Sequence, residues 1–215
     1  MTITRENVIT EIRKICKEIG ANAPLMLAIA SLESSLNPNA TSKSGTFVGL
    51  YQLSNGYGGC TGDVRKDIAA SVKCTWSQIE RNKGLWHNDF KEWEDWFAYG
   101  MHQQGVAGFK TLYRNRNSKV SALPEARQKA IITNSPSALK PVYVRDFLNY
   151  WKDRVNGRIK EYSKEGVSQI AQTLENRSID FYYDNPLLVY GGVAIIAGGA
   201  GYYVYNNFFR KRRKK

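Results

Sequence analysis

From Leu187 to Tyr205 the chain runs for 19 residues without a charged side chain, and the uncharged stretch continues through Asn206, Asn207, Phe208 and Phe209. Six basic residues, Arg210 to Lys215, follow at once. A helix needs about 20 mostly apolar residues to cross roughly 30 Å of hydrocarbon. Tyr190 at one end and Tyr202, Tyr203 and Tyr205 at the other fall where interfacial aromatics sit. Ala194/Gly198 and Ala197/Gly201 are small residues four apart, a spacing that permits close helix packing. A Gly-rich helix buried in a protein core is the alternative, but the basic run at its end fits membrane topology better. The sequence therefore predicts one C-terminal transmembrane helix over 186–209 and a basic tail over 210–215, held on the cytoplasmic side.

The tail also changes how the charge is read. The chain has 31 Lys+Arg against 19 Asp+Glu, a formal net charge of +12. Half of that excess is the tail, and +6 spread over the other residues suits an anionic wall or membrane surface without making a case for nucleic acid. A 42% hydrophobic and 12% aromatic content excludes a disordered chain. Two histidines and three cysteines, with no CxxC or HExxH spacing, leave no metal site and no cofactor to expect.

The rest of the chain reads as mainly α. Val8, Ile9, Ile12, Ile15, Cys16 and Ile19 share one face of a helix over 5–20, which Gly20 ends. A second helix starts near Pro24 and runs to Leu36, where Asn37-Pro38 stops it. Within it, Ile29 and Ala30 precede Glu33 by four and three residues and Leu36 follows by three, so Glu33 lies on or beside the apolar face. Burial disfavours the charged form of a carboxyl, which suits a general acid; a Glu at the edge of the face is the alternative. A Gly/Ser/Thr/Asn-rich loop spans 37–60, with Gln52 set between apolar neighbours as a groove-lining donor and acceptor. Helices are predicted at 63–82, 92–113, 122–133 and 142–156. A charged stretch over 158–185 leads to the membrane as a stalk.

Three blocks resemble the goose-lysozyme-like SLT family of lytic transglycosylases. The first is Ala30-Ser-Leu-Glu33-Ser34-Ser35-Leu36-Asn37-Pro38, matching a helix that carries Glu-Ser before an Asn-Pro turn. The second is Gly49-Leu50-Tyr51-Gln52-Leu53, with Gln52 19 residues after Glu33. The third, Tyr99-Gly-Met-His102-Gln103-Gln104-Gly105, departs from the usual Ala-Tyr-Asn-Ala-Gly and is similar to the Tyr-Leu-Ala-His-Gln-Gln-Gly of phage virion transglycosylases. The resemblance covers about residues 5–115.

That resemblance implies a lysozyme-like helical domain over 1–157 (core 5–115) and a peptidoglycan lyase with Glu33 as its catalytic acid and base. It would cleave the MurNAc–GlcNAc β-1,4 bond to a 1,6-anhydro product. Ser34, Ser35, Gly49, Tyr51, Gln52, Tyr99, His102 and Gln103 would bind substrate. A hydrolase normally uses two carboxylates, and Asp63, Glu92, Glu94 and Asp95 read instead as solvated helix-face charges. Trp76, Trp86, Trp93 and Trp96 read mostly as core. Cys60 and Cys74 could close a loop over 61–73 as a disulfide, which would suit an extracytoplasmic location, but without an export signal free thiols are favoured; Cys16 is expected as a buried apolar residue.

The N-terminus, Met1-Thr-Ile-Thr-Arg-Glu-Asn, shows neither a basic n-region nor an apolar h-region. Together with the anchor this points to a bacteriophage enzyme carried with a virion membrane, beside virion membrane proteins, and used against the host cell wall. A bacterial inner-membrane protein is the alternative location. A muramidase, and a noncatalytic membrane-anchored glycan- or nucleic-acid-binding protein, are the alternative functions.

Overall fold

The structure, a computed structural model, describes residues 4–163. The chain divides into two units, Met1–Ser163 and Lys164–Lys215. The second lies outside the described residues, and with it the expected transmembrane helix, the basic tail and the stalk beyond Ser163. Among the described residues no helix is long and apolar enough to cross a membrane.

Among the described residues there are six α-helices and no strands, only isolated bridges at Thr41–Val48, Val48–Leu53 and Lys119–Tyr143. The mainly α expectation is met. Helix α1 (Arg5–Ile19) starts where the Thr4 side chain accepts from Asn7 N and ends at Gly20, φ 68°, so its predicted bounds hold. Val8, Ile12, Ile15 and Cys16 are its buried stripe.

Helix α2 (Ala23–Ser34) is the centre of the fold. Asn22 caps it, with Oδ1 accepting from Leu25 N at 3.1 Å. Its amide donates to Asp95 at 2.9 Å, which ties this end to the segment just before the helix that starts at Trp96. Leu25 to Ala30 are all buried, so the helix is apolar on every side, as expected of a helix surrounded by others. Each large aliphatic side chain here contributes about 1.5–3 kcal/mol by leaving water. It packs most closely on α6 (Val144–Tyr162) and also against α1. Glu33 therefore does not sit at the edge of an amphipathic face. It reaches solvent because α2 stops one residue later.

The remaining helices are α3 (Ile68–His87), α4 (Trp96–Arg114) and α5 (Glu125–Thr133). The single helix predicted over 63–82 is a short 3-10 turn, Gly62–Lys66, followed by α3, because the Asp67 side chain accepts from Ala70 N at 2.7 Å and starts a new helix there. Helix α4 begins four residues after its predicted start. It is broken at Gly105, whose φ 66° and ψ 158° belong to a region reserved for glycine. The piece before the break carries Tyr99, His102 and Gln103. The piece after it packs Phe109 and Tyr113 against Trp86. Helix α6 continues to Tyr162, past its predicted end at 156. Tyr162 is buried and its hydroxyl accepts from Arg5, so residues 158–162 pack on the domain rather than beginning a stalk.

Candidate functional site

Helix α2 ends in an unusual way. Leu36 N donates to Ala30 O at 3.2 Å and Ser35 N to Ser31 O at 3.1 Å, a Schellman-like closure. Glycine normally occupies such positions, yet Ser35 has φ 55° and Leu36 φ 66°. The one other non-glycine with positive φ among the described residues is Gln52, φ 46°. Left-handed backbone costs an L-residue roughly 1–2 kcal/mol, and all three strained residues border Glu33. Such strain tends to cluster at working sites.

Glu33, Gln52, Tyr57, His102 and Gln103 line one cleft of about 370 Å³, with Phe47, Ser54 and Asn134 completing it. The wall opposite α2 is the loop 37–60. Its geometry depends on Gly49, φ 79°, whose N–H donates to Ala40 O at 2.8 Å. A Cβ at Gly49 would lie 2.0 Å from the Arg65 carbonyl oxygen, so only glycine fits. The Gln52 amide donates to Gly49 O at 3.0 Å and Ala40 O at 3.3 Å. Both its hydrogens are engaged, and what it can offer the cleft is an oxygen.

From α4, the Gln103 amide donates to the Tyr99 hydroxyl at 2.9 Å. Burial, then the charge of Glu33 and a hydrogen bond with it, push the Tyr99 phenol far above its ordinary range. Tyr99 thus stays protonated and receives from Gln103, within the field of the Glu33 carboxylate. Tyr57 is pushed up to about 12 by burial and by the Glu33 charge. Its hydroxyl lies 3.2 Å from His102 Nδ1, and His102 Nε2 lies 2.9 Å from the Tyr51 carbonyl oxygen.

Several expected binding residues have other work. The Ser34 hydroxyl donates to Ala30 O at 3.0 Å and accepts from Asn37 N at 3.2 Å, completing the helix end. Ser35 is exposed and serves as the left-handed cap. Tyr51 was expected to line the groove. Its ring is fully buried instead, its hydroxyl has no hydrogen-bond partner among the described residues, and its carbonyl is what serves the site. Gly49 shapes the loop from a buried position.

The expectation of free thiols at Cys60 and Cys74 is overturned: the two form a disulfide. Cys16 is free and buried, and burial pushes its thiol up to about 11. The crosslink secures the turn that presents Tyr57, since a Cβ at Gly58 would meet the Cys74 carbonyl oxygen at 2.4 Å.

Among the described residues lining the cleft, Glu33 is the only carboxylate. Asp63 is exposed in its 3-10 turn. Glu92 accepts from Tyr113 at 3.2 Å, Glu94 pairs with Lys152 at 2.6 Å and Asp95 holds Asn22. Trp86 and Trp96 are core, as expected, while Trp76 and Trp93 line a separate pocket of about 330 Å³.

Sequence reasoning missed Tyr57, Phe47, Ser54 and Asn134. Tyr57 had one weak signal, an aromatic alone among glycines in Gly56-Tyr-Gly-Gly. Asn134 had none, since only the path of α5 brings it there.

The fold and site define a helical domain with one carboxylate in a polar cleft, close to two buried phenols. The Transglycosylase SLT domain family matches residues 11–74, the stretch that holds most of α1, all of α2 with Glu33, the loop with Gln52 and Tyr57, and the start of α3. This supports placement with the SLT, lysozyme-like proteins; the match ends before α4 and the Tyr99–Gly105 block. No curated protein matches the chain.

Proposed function

We propose that the protein is a peptidoglycan lytic transglycosylase. The observation that carries this reading is the lone carboxylate: Glu33 stands in the cleft without a second acid among its described lining residues. A hydrolase normally uses a second carboxylate, about 5–5.5 Å away if retaining or 6.5–9.5 Å if inverting, to attack the sugar or activate water. A lyase does not. Glu33 gives its proton to the glycosidic oxygen as the MurNAc C1–O bond breaks. The resulting carboxylate then takes the proton of the muramic 6-hydroxyl while that oxygen bonds to C1, closing the 1,6-anhydro ring. The protonated Tyr99 phenol beside Glu33 offers its dipole to the carboxylate between the two steps.

Glu33→Gln keeps the shape and removes the proton. General acid–base catalysis contributes about 10²–10⁴-fold, so release of anhydromuropeptides from sacculi falls by at least that much while the melting temperature holds. Unchanged release overturns the assignment. Products heavier by one water identify a muramidase.

The anchor over 187–205 and the use by a bacteriophage against a host wall belong to the same reading. They are supported by the apolar run with its basic tail and by the virion-type third block. The Cys60–Cys74 disulfide suits an oxidising site of action rather than a reduced cytosol. Fractionation of membranes and of purified particles tests both; a protein found in neither refutes them.

A further inference from the structure

The hydrogen-bond polarity of the cleft wall is fixed by the groups behind it. His102 Nε2 lies 2.9 Å from the Tyr51 carbonyl oxygen. A carbonyl only accepts, so that nitrogen carries the hydrogen. In the neutral imidazole, Nδ1 then holds a lone pair, and it lies 3.2 Å from the Tyr57 hydroxyl. The single hydroxyl hydrogen of Tyr57 is therefore directed at Nδ1. What the phenol has left to offer the cleft is lone pairs. The two rings meet edge to face with centroids 5.3 Å apart, and the Cys60–Cys74 disulfide anchors the turn three residues after Tyr57. Gln52 follows the same pattern, with both amide hydrogens held by Gly49 and Ala40.

A fixed acceptor discriminates only among groups that cannot reverse their role. A sugar hydroxyl turns its hydrogen toward whichever partner it meets. An amide N–H is an obligate donor, and burying it without an acceptor is costly.

We infer that Tyr57, with its polarity set by His102, is a specificity residue that accepts the acetamido N–H of an N-acetylated amino sugar bound beside Glu33. The inference rests on the reading of the cleft as a glycan site. Tyr57 touches the sugar; His102 acts through it and is a positioning residue.

The test is calorimetric binding of chitotetraose and cellotetraose to the full-length protein, which share a β-1,4 backbone and differ in carrying an acetamido or a hydroxyl group at C2. Wild type prefers chitotetraose. Tyr57→Phe, which removes only the oxygen, lowers the chitotetraose-to-cellotetraose affinity ratio about tenfold, the size of one hydrogen bond left unmade. His102→Gln keeps a donor for the Tyr51 carbonyl and lowers the ratio in the same direction. The double variant falls no further than Tyr57→Phe, as required if His102 acts through Tyr57. An unchanged ratio in Tyr57→Phe, additive effects in the double variant, or a wild type that binds neither oligosaccharide overturns the inference. Because the readout is binding, it is separate from the Glu33→Gln lysis assay. A normal lyase with an unchanged ratio refutes the role of Tyr57 alone.

Discussion

Gly49 carries the cleft wall on a contact that no other residue can make, and Gly49→Ala measures what that contact is worth. Two costs are built into the site. The backbone sits at φ 79°, which costs an L-residue about 1–2 kcal/mol. The added methyl would also stand 2.0 Å from the Arg65 carbonyl oxygen and 3.0 Å from its carbon. That neighbour is backbone, and Arg65 is held in place: its guanidinium donates to Leu53 O at 2.9 Å, Thr46 O at 3.2 Å and Gly62 O at 2.9 Å. Overpacking against a surface that cannot retreat costs about 1–3 kcal/mol more. Gly45→Ala is the control. Its φ is 73°, but a methyl there meets nothing within 4 Å, so it bears the backbone cost alone. The two variants should differ by about 2 kcal/mol, a gap of roughly 4–8 °C in melting temperature for a domain of this size. Differential scanning calorimetry of both decides it. Equal melting temperatures would show that the loop 62–66 yields, and that Gly49 is a turn residue and not a keystone of the wall.

Other perturbations follow from the same geometry. Tyr99→Phe removes the phenol dipole beside Glu33 and the acceptor of the Gln103 amide, a loss of about 1–3 kcal/mol, so turnover of sacculi should drop roughly 10–100-fold; a drop under twofold refutes a role for the phenol. Cys60→Ser with Cys74→Ser frees a loop whose ends are 14 residues apart. The unfolded chain then regains entropy and stability should fall by about 3 kcal/mol in urea titrations; matching oxidised and doubly substituted proteins would contradict the crosslink. Tyr57 is raised to about 12 in the fold against about 10 unfolded. Its proton is bound more tightly in the native state, so its contribution is complete below about pH 10 and is lost as pH rises toward about 12. Urea midpoints should fall across that window in the wild type and less steeply in Tyr57→Phe.

What the sequence discloses about this domain is uneven, and the unevenness has physical causes. Local signals act over one turn: Gly20 ends α1 and Pro24 falls in the first turn of α2 as read, with Asn22 supplying the cap. Asp67 is also a local signal, but the apolar spacing across 64–79 masks the cap and merges two elements into one. Glu33 stands out because a carboxylate at the end of an apolar run is rare. The reason first given for it, a place on an amphipathic face, does not survive the central position of α2. The serines beside it are polar for the sake of the helix end: Ser34 accepts from Asn37 N and Ser35 turns the backbone. The partners of Glu33 are the least legible. Tyr57 and Asn134 arrive from a glycine-rich turn and from the end of α5, and no periodicity connects either with position 33.

The bond between Cys60 and Cys74 gives this cleft a history. A chain can collapse, form α2 and bring Glu33 to the surface while both sulfurs are still thiols. The turn that carries Tyr57 acquires its covalent tether only when an oxidant has been met. Until that oxidation, packing and hydrogen bonds alone hold the turn, so the redox surroundings of the chain bear directly on how firmly its cleft is held.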